Sequence, residues 1–170
     1  MSTESSNRSK TTAQKKNETV QLLTFKLDDQ EYALDIYNVV QVVRMVALTR
    51  PPKAPDYMEG MFNLRGKVIP VINVRMRYGL PGKPHDLDTQ LLIAKAGGKM
   101  LAITVDVVSE VLTLSTDTIE PPDQIGPDLQ YLKAVAKVGD RLILILDPDT
   151  LLTNTVEAFR SAGMEKMEMA

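Results

Sequence analysis

Side chains able to do covalent chemistry are scarce in this chain. Hydrolysis or group transfer needs a nucleophile, a base and a charge stabiliser brought together, yet His85 is the single histidine and there is no cysteine. His85 lies in a stretch rich in Pro and Gly, residues 79–88, and reads as a solvated loop side chain. Carboxylates occur in pairs, Asp28 with Asp29, Asp86 with Asp88 and Asp147 with Asp149. Each pair falls at a turn or strand end, where short acidic side chains punctuate the backbone. A hydrolase built on Asp147 and Asp149 is one competing reading, and it requires turnover that vanishes when the pair is replaced. Gly97-Gly98 stands between alternating apolar residues and reads as a hairpin turn, not a phosphate cradle. One histidine without cysteine excludes a typical structural zinc site. An all-carboxylate metal site stays open, but no catalytic residue, metal ligand or cofactor is expected.

The elements that would position any site are short β-branched runs separated by Gly, Asp and Pro, a pattern of all-β sandwiches and barrels. Strands are predicted at Leu22 to Leu27, Glu31 to Ile36, Val40 to Val46, Gly60 to Leu64, Val68 to Ile72, Leu91 to Ala96, Met100 to Val105, Ser109 to Leu114, Leu132 to Val138 and Leu142 to Leu146. Helix is expected only at Asn73 to Tyr78 and, opened by Pro148, at Asp149 to Arg160. Residues 1–19 are polar throughout and read as a disordered tail, and 161–170 as a flexible one.

An internal repeat organises these strands. QLLTFKLDDQEYALDI (Gln21 to Ile36) aligns without gaps on QLLIAKAGGKMLAITV (Gln90 to Val105) at an offset of 69 positions. GMFNLRGKVIPVIN (Gly60 to Asn73) aligns on AVAKVGDRLILILD (Ala134 to Asp147) at an offset of 74. Hairpin turns fall at matching places: Asp28-Asp29 against Gly97-Gly98, and Arg65-Gly66 against Gly139-Asp140. A single domain over 20–160 is expected, with a first repeat at about 20–78, a linker at 79–88, a second repeat at about 89–147 and a carboxyl-terminal helix at about 148–160. Two similar five-stranded barrels should result. Neither copy has much core alone, so they should pack through an apolar seam lined by equivalent valines.

Composition narrows the function classes. A formal charge of −2 gives no global pull towards nucleic acid or anionic lipid, and with 5% aromatic residues and no Trp a base-stacking platform is poorly supplied. The absence of cysteine suits a reducing, cytoplasmic setting. The amino terminus lacks the apolar stretch of a secretory signal, and apolar runs such as Leu142 to Leu146 fall far short of the roughly 20 residues of a membrane span. A competing reading is a small β-barrel that binds nucleic acid through Arg44, Arg50, Lys53, Arg65, Lys67, Arg75 and Arg77.

One stretch exceeds what strands require: GMFNLRGKVIPVINVR, Gly60 to Arg75. The second copy serves as a control, since it places Gly139 where the first has Arg65. A charged arm is not needed to make the turn, and an outward guanidinium there suits a carboxylate or backbone carbonyls of another protein. Pro70, matched by Leu144, lacks an amide hydrogen, so its strand should be an edge or bulged in the first copy only.

This run resembles the signature of CheW-type coupling proteins, and the resemblance extends from about Gln21 to Leu152, through EYALDIYNVVQVV, LAITVDVVSEVL and RLILILDPDTLL. It implies two linked SH3-like barrels, an all-β fold with few short helices, and a non-catalytic adaptor. Its implied partners are the cytoplasmic tip of chemoreceptors, held in a groove between the barrels, and the regulatory domain of a chemotaxis histidine kinase. The setting implied is a cytoplasmic, membrane-associated array serving a flagellar or a twitching-type pathway, with a protein that is monomeric in isolation and does not itself enter the membrane. Carried over by residue, Asn63, Arg65 and Gly66 match the NLRG turn with its partner-contacting Arg. Gly60 matches a glycine that permits close approach there. Val39 with Val108, and Val42 with Val111, match apolar positions at or near the groove. Gln41 stands where the family often has Glu and is carried as a contact position without the salt bridge.

Overall fold

The structure, a computed structural model, describes residues 18–79, 81–82, 84–121 and 132–153. Eleven strands appear among them: β1 Thr19–Leu27, β2 Gln30–Asp35, β3 Val39–Arg44, β4 Met58–Leu64, β5 Lys67–Ile72, β6 Gln90–Ala96, β7 Lys99–Val105, β8 Val107–Ser115, β9 Ile119–Glu120, β10 Leu132–Val138 and β11 Arg141–Leu146. Each predicted strand is present. The two-residue β9 was not foreseen, and Thr19, expected in the tail, already pairs with Ser115. Helix α1, Val74–Arg77, is opened by Asn73, whose Oδ1 accepts the Met76 N–H at 3.1 Å. Residues 148–153 are helical with Pro148 first. The remainder of that expected helix lies outside the described residues, as do the tails before residue 18 and after residue 153.

The strands form two sheets, in the orders β8-β1-β2-β11-β10-β9 and β3-β6-β7-β5-β4. Each is a barrel wall, and each is assembled from both repeats. By the offsets, β1, β2, β3, β4 and β5 correspond to β6, β7, β8, β10 and β11. Both sheets then read third, first, second, fifth, fourth, with the first two strands always donated by the other copy. This corrects the expectation that each repeat closes its own barrel. It also relocates the junctions: the linker at 79–88 joins β5 to β6 within one sheet. Among the described residues the chain crosses between sheets at Ile36–Asn38, a single 3-10 turn, and at Asp106.

Each barrel closes where the chain beyond its third strand bonds to the fourth. Thr49 and Met61 exchange N–H···O bonds of 2.9 and 2.8 Å, and β9 pairs with β10 through Glu120–Val135 and Ile119–Ala136.

Three apolar clusters follow from the pleat. Leu22, Ala33, Ala134, Ala136, Ile143 and Ile145 fill the first barrel, and Ile69, Val71, Leu91, Ile93 and Ala102 fill the second. The largest cluster lies between the sheets and includes Leu23, Phe25, Leu27, Tyr32 and Leu34 from one, with Leu92, Ala94, Ala96, Leu101 and Ile103 from the other. Successive residues of β1 and β6 therefore enter different cores, Leu22 with Leu91 inside the barrels and Leu23 with Leu92 in the seam. That is why apolar residues stand side by side in these strands, Leu22-Leu23 in β1 and Leu91 to Ala94 in β6. Val39, Val42 and Val108 pack only at the margin of this cluster and form its rim, while Leu, Ile, Phe and Tyr side chains together with Val74, Val105 and Val135 fill its interior.

Pro70 also departs from expectation. β5 is an interior strand, between β7 and β4, and the bulge in β4 between Met58 and Gly60 recurs in β10 between Leu132 and Ala134. The proline is accommodated because parallel pairing of β5 with β7 starts only at Val71, whereas the equivalent pairing of β11 with β2 starts at Ile143, one residue before the counterpart of Pro70.

Candidate functional site

The turn joining β4 to β5 is one of four two-residue hairpins among the described residues and the one that carries Arg65. Leu64 pairs with Lys67, leaving Arg65 and Gly66 as a two-residue loop with φ of 53° and 86°. Two positive φ values give a type I′ turn, whose twist matches the flanking strands. The Gly66 N–H donates to Asn63 Oδ1 at 2.8 Å, so Asn63 and Gly66 are accounted for by the turn itself. Arg65 is not. A residue with a Cβ costs roughly 1–2 kcal/mol in the left-handed region, and the other three hairpins place Asp28, Gly97 and Gly139 there, at φ of 56°, 55° and 60°. The Arg65 side chain is exposed and makes no hydrogen bond or ion pair with a described residue. Arg65 thus holds a strained backbone position with no internal contact among the described residues.

The remaining sequence-derived positions separate into two groups. Gly60 (φ 149°) is buried, and a Cβ there would lie 2.8 Å from Leu48 Cβ and 3.0 Å from the Thr49 carbonyl oxygen. The close approach it permits is therefore internal, to the strand end that closes the barrel, and it cannot meet a partner directly. Val39, Gln41 and Val42 on β3 are half-buried, as is Val108 on β8, while Val111 is 51% exposed and lies outside the seam. β3 and β8 are equivalent strands at the edges of the two sheets, so the seam rim presents apolar side chains from both copies. Val40 (43%), Val107 (51%) and Tyr37 (82%) add exposed apolar surface on the same strands and the first crossing. Such surface is what a protein partner desolvates.

The basic residues do not form a nucleic-acid face. Arg75 is buried, with Nη2 ion-paired to Asp106 Oδ2 and 2.9 Å from Asp28 Oδ1. Arg77 lies over the Tyr57 and Tyr78 rings at 5.1 and 5.5 Å. Arg50 donates to the Ala54 and Pro55 carbonyls at 3.2 and 3.3 Å. Only Arg44, Lys53, Arg65 and Lys67 of the seven remain exposed without such partners, and the basic-patch reading loses its physical support.

His85 is not a free loop side chain either. Its Nε2 lies 2.8 Å from Glu59 Oε1, and the same oxygen accepts from Asn73 Nδ2 at 3.1 Å. The bulge in β4 turns Glu59 off the ladder towards this pairing, whereas its counterpart in the second copy, Lys133, reaches Asp35 at 4.0 Å. Among the described residues, no group of three or more His, Asp or Glu side chains is placed to hold a metal ion, and no helix is long and apolar enough to cross a membrane.

On the other barrel, Arg141 grips Glu31 with both nitrogens, Nε at 2.9 Å and Nη2 at 2.7 Å, and Nη2 reaches Glu110 at 3.4 Å. Arg141 stands where the first copy has Lys67, and Glu110 where it has Gln41. The hydrogen bonds from Arg141 hold the Glu31 carboxyl below its ordinary value, against the opposing effect of partial desolvation. A lowered folded value means that the contribution to stability is present above the unfolded value and lost as pH falls through the folded one. Glu31→Gln should therefore give a small drop in melting temperature at pH 7 that fades as the pH falls through the lowered folded value of Glu31; equal melting temperatures of the two proteins at pH 7 would show that the pair contributes nothing.

Two interlocked SH3-like barrels sharing an apolar seam, with an unpaired arginine held on a strained turn, define a protein-interaction domain. The CheW-like domain matches residues 21–156. The chemotaxis protein CheW of Helicobacter pylori is 32% identical over 136 residues, 79% of this chain and 82% of that protein. The chemotaxis protein CheW of Klebsiella aerogenes is 31% identical over the same shares. In the crystal structure of the scaffolding protein TtCheW from Thermoanaerobacter tengcongensis the same architecture recurs, with a TM-score of 0.71 and 34% identity over 76% of this chain and 90% of that one. The chain belongs to the CheW-like family of chemotaxis adaptors.

Proposed function

We propose that this protein is a non-catalytic coupling scaffold that binds both the cytoplasmic tip of chemoreceptors and the regulatory domain of a chemotaxis histidine kinase, in the cytoplasm at membrane-associated arrays. The observation that carries the reading is Arg65, exposed and unpaired in a backbone conformation that Gly139 fills without strain in the second copy. Asn63 and Gly66 shape its turn, and Gly60 sets the strand beneath it. Val39, Gln41, Val42, Val108 and Val111 supply a second surface on β3 and β8. Two modest sites on one rigid body raise the effective concentration of one partner for the other, so no chemistry is needed for coupling.

Two substitutions at one position test this. Arg65→Glu should reduce capture of receptor fragment or kinase by tenfold or more, which corresponds to about 1.4 kcal/mol of binding free energy. Arg65→Gly should lose binding as well, yet raise stability by about 1 kcal/mol by relieving the left-handed arginine. Opposite signs for binding and stability are the signature of a residue kept for contact. Unchanged affinity for both partners in both variants would end the assignment.

A further inference from the structure

We propose that Arg75 is a positioning residue that fixes the angle between the two barrels. The seam that joins them is apolar, and apolar attraction is non-directional: it holds two faces together without choosing a rotation. Direction must come from the covalent crossings and from polar contacts beside them.

Among the described residues the chain crosses between sheets at two places, Ile36–Asn38 and Asp106, which are equivalent in the repeat because Asp106 aligns with Tyr37. At Asp106 three elements are tied. Arg75 comes from helix α1 behind β5 of one sheet, Asp28 from the β1–β2 turn of the other, and Asp106 is the crossing residue itself. Its Oδ2 accepts from Arg75 Nη2 and also from the Asp28 backbone N–H at 2.7 Å. Arg75 is 7% exposed and Asp106 21%. A buried, hydrogen-bonded charge pair of this kind tolerates little displacement, because separating it leaves a charge without water or partner.

Among the described residues, the other crossing has no such buried three-way cluster. At the positions equivalent to Arg75, Asp28 and Asp106 stand Asp149, Gly97 and Tyr37, and Tyr37 is 82% exposed. What holds there is a looser set of contacts: Asp35, 4.0 Å from Lys133 of the same sheet, accepts the Tyr37 N–H at 3.0 Å, and Asn38 Nδ2 donates to the Lys95 carbonyl at 3.3 Å. One strand program, used twice, builds the crossing without an ion cluster in one copy, so the fold does not require the cluster to turn the chain. The consequence is a body pinned at one crossing and compliant at the other. Val39 and Val108 each follow a crossing by one or two residues, so the inter-barrel angle sets the spacing of the seam rim.

The chain has no cysteine, which makes the angle measurable by spin labels at two introduced cysteines, Lys99→Cys on one barrel and Asp140→Cys on the other, both exposed. The distance distribution should be narrow in the otherwise unaltered chain and broader with Arg75→Met, measured well below its melting temperature. If Arg75→Met folds poorly, Asp106→Asn keeps the shape and removes the charge, and it should broaden the distribution too. An unchanged distribution in a folded variant would overturn the proposal. This readout does not depend on the coupling reading. A second arm does: several-fold weaker capture of receptor fragment in the broadened variants is expected if the rim is a contact surface, and unaltered capture with a broadened distribution would count against the rim, not against the clamp.

Discussion

Phe25→Ala should lower stability by about 3–5 kcal/mol, the largest loss expected from any single truncation in the seam. Phe25 is fully buried and stacks on Tyr32 with ring centroids 5.9 Å apart and planes 18° from parallel. Its removal combines lost transfer free energy with a cavity that β-strands pinned on both sides cannot collapse to fill. The counterpart at the same offset is Ala94, so the phenylalanine fills space left by the small residue facing the same core. Because the seam is shared, the loss should fall on both barrels. Urea unfolding should remain one transition at a lower midpoint, and amide exchange should accelerate in β6 and β7 as well as in β1 and β2. Protection lost in one sheet alone would mean that the barrels are stabilised independently.

Gly60→Ala is the second large effect, about 2–4 kcal/mol, the sum of a steric term and a backbone term. The new methyl would press on Leu48 Cβ and the Thr49 carbonyl, and the φ of 149° is one that L-residues rarely adopt. Thr49 is the residue whose reciprocal bonds to Met61 close the barrel, so the clash acts where closure is thinnest. Gly98→Ala makes the contrast: its φ is 84° but nothing lies within 4 Å of the added atom, and only the backbone term of about 1 kcal/mol remains. Calorimetry on the two variants separates the terms. A Gly60→Ala protein as stable as the Gly98→Ala one would remove the packing explanation. The comparison also bears on the proposed function: because Gly60 is buried, any loss of partner capture in Gly60→Ala would report on the strand that carries Arg65 and not on a partner touching the glycine.

Much of this architecture was legible from local signals. Strand positions followed from β-branched runs and turn residues, and the repeat exposed Arg65 by showing what a turn without it looks like. Interlocking was not legible, because offsets of 69 and 74 relate equivalent strands without saying which copy they pair with. A hint was available in consecutive apolar residues, Leu22-Leu23 in β1, Tyr32 to Leu34 in β2, Leu91 to Ala94 in β6 and Met100 to Ile103 in β7, which signal burial on both faces and so place those strands between two cores. The Arg75 cluster was missed for a related reason. Asp28 reads as turn punctuation and Arg75 as one cation among seven, Asp106 draws no reading of its own, and only the tertiary fold brings them together. Glu59 and His85 met in the same way, through a bulge whose position sequence spacing does not reveal. The valines were placed in the seam because they repeat, but repetition marks equivalence, not depth; the larger side chains won the interior.

The exchange of leading hairpins has a further implication for how such a body arises. A single repeat that traded its first two strands with a twin would build the same pair of barrels as a symmetric homodimer, with identical surfaces at either end. Joining the twins into one polypeptide removes that constraint: one end can acquire a protruding cation while the other keeps a glycine, and one junction can be bolted while its mate is left supple. Asymmetry of this kind is what an object needs if it is to hold two different neighbours at once.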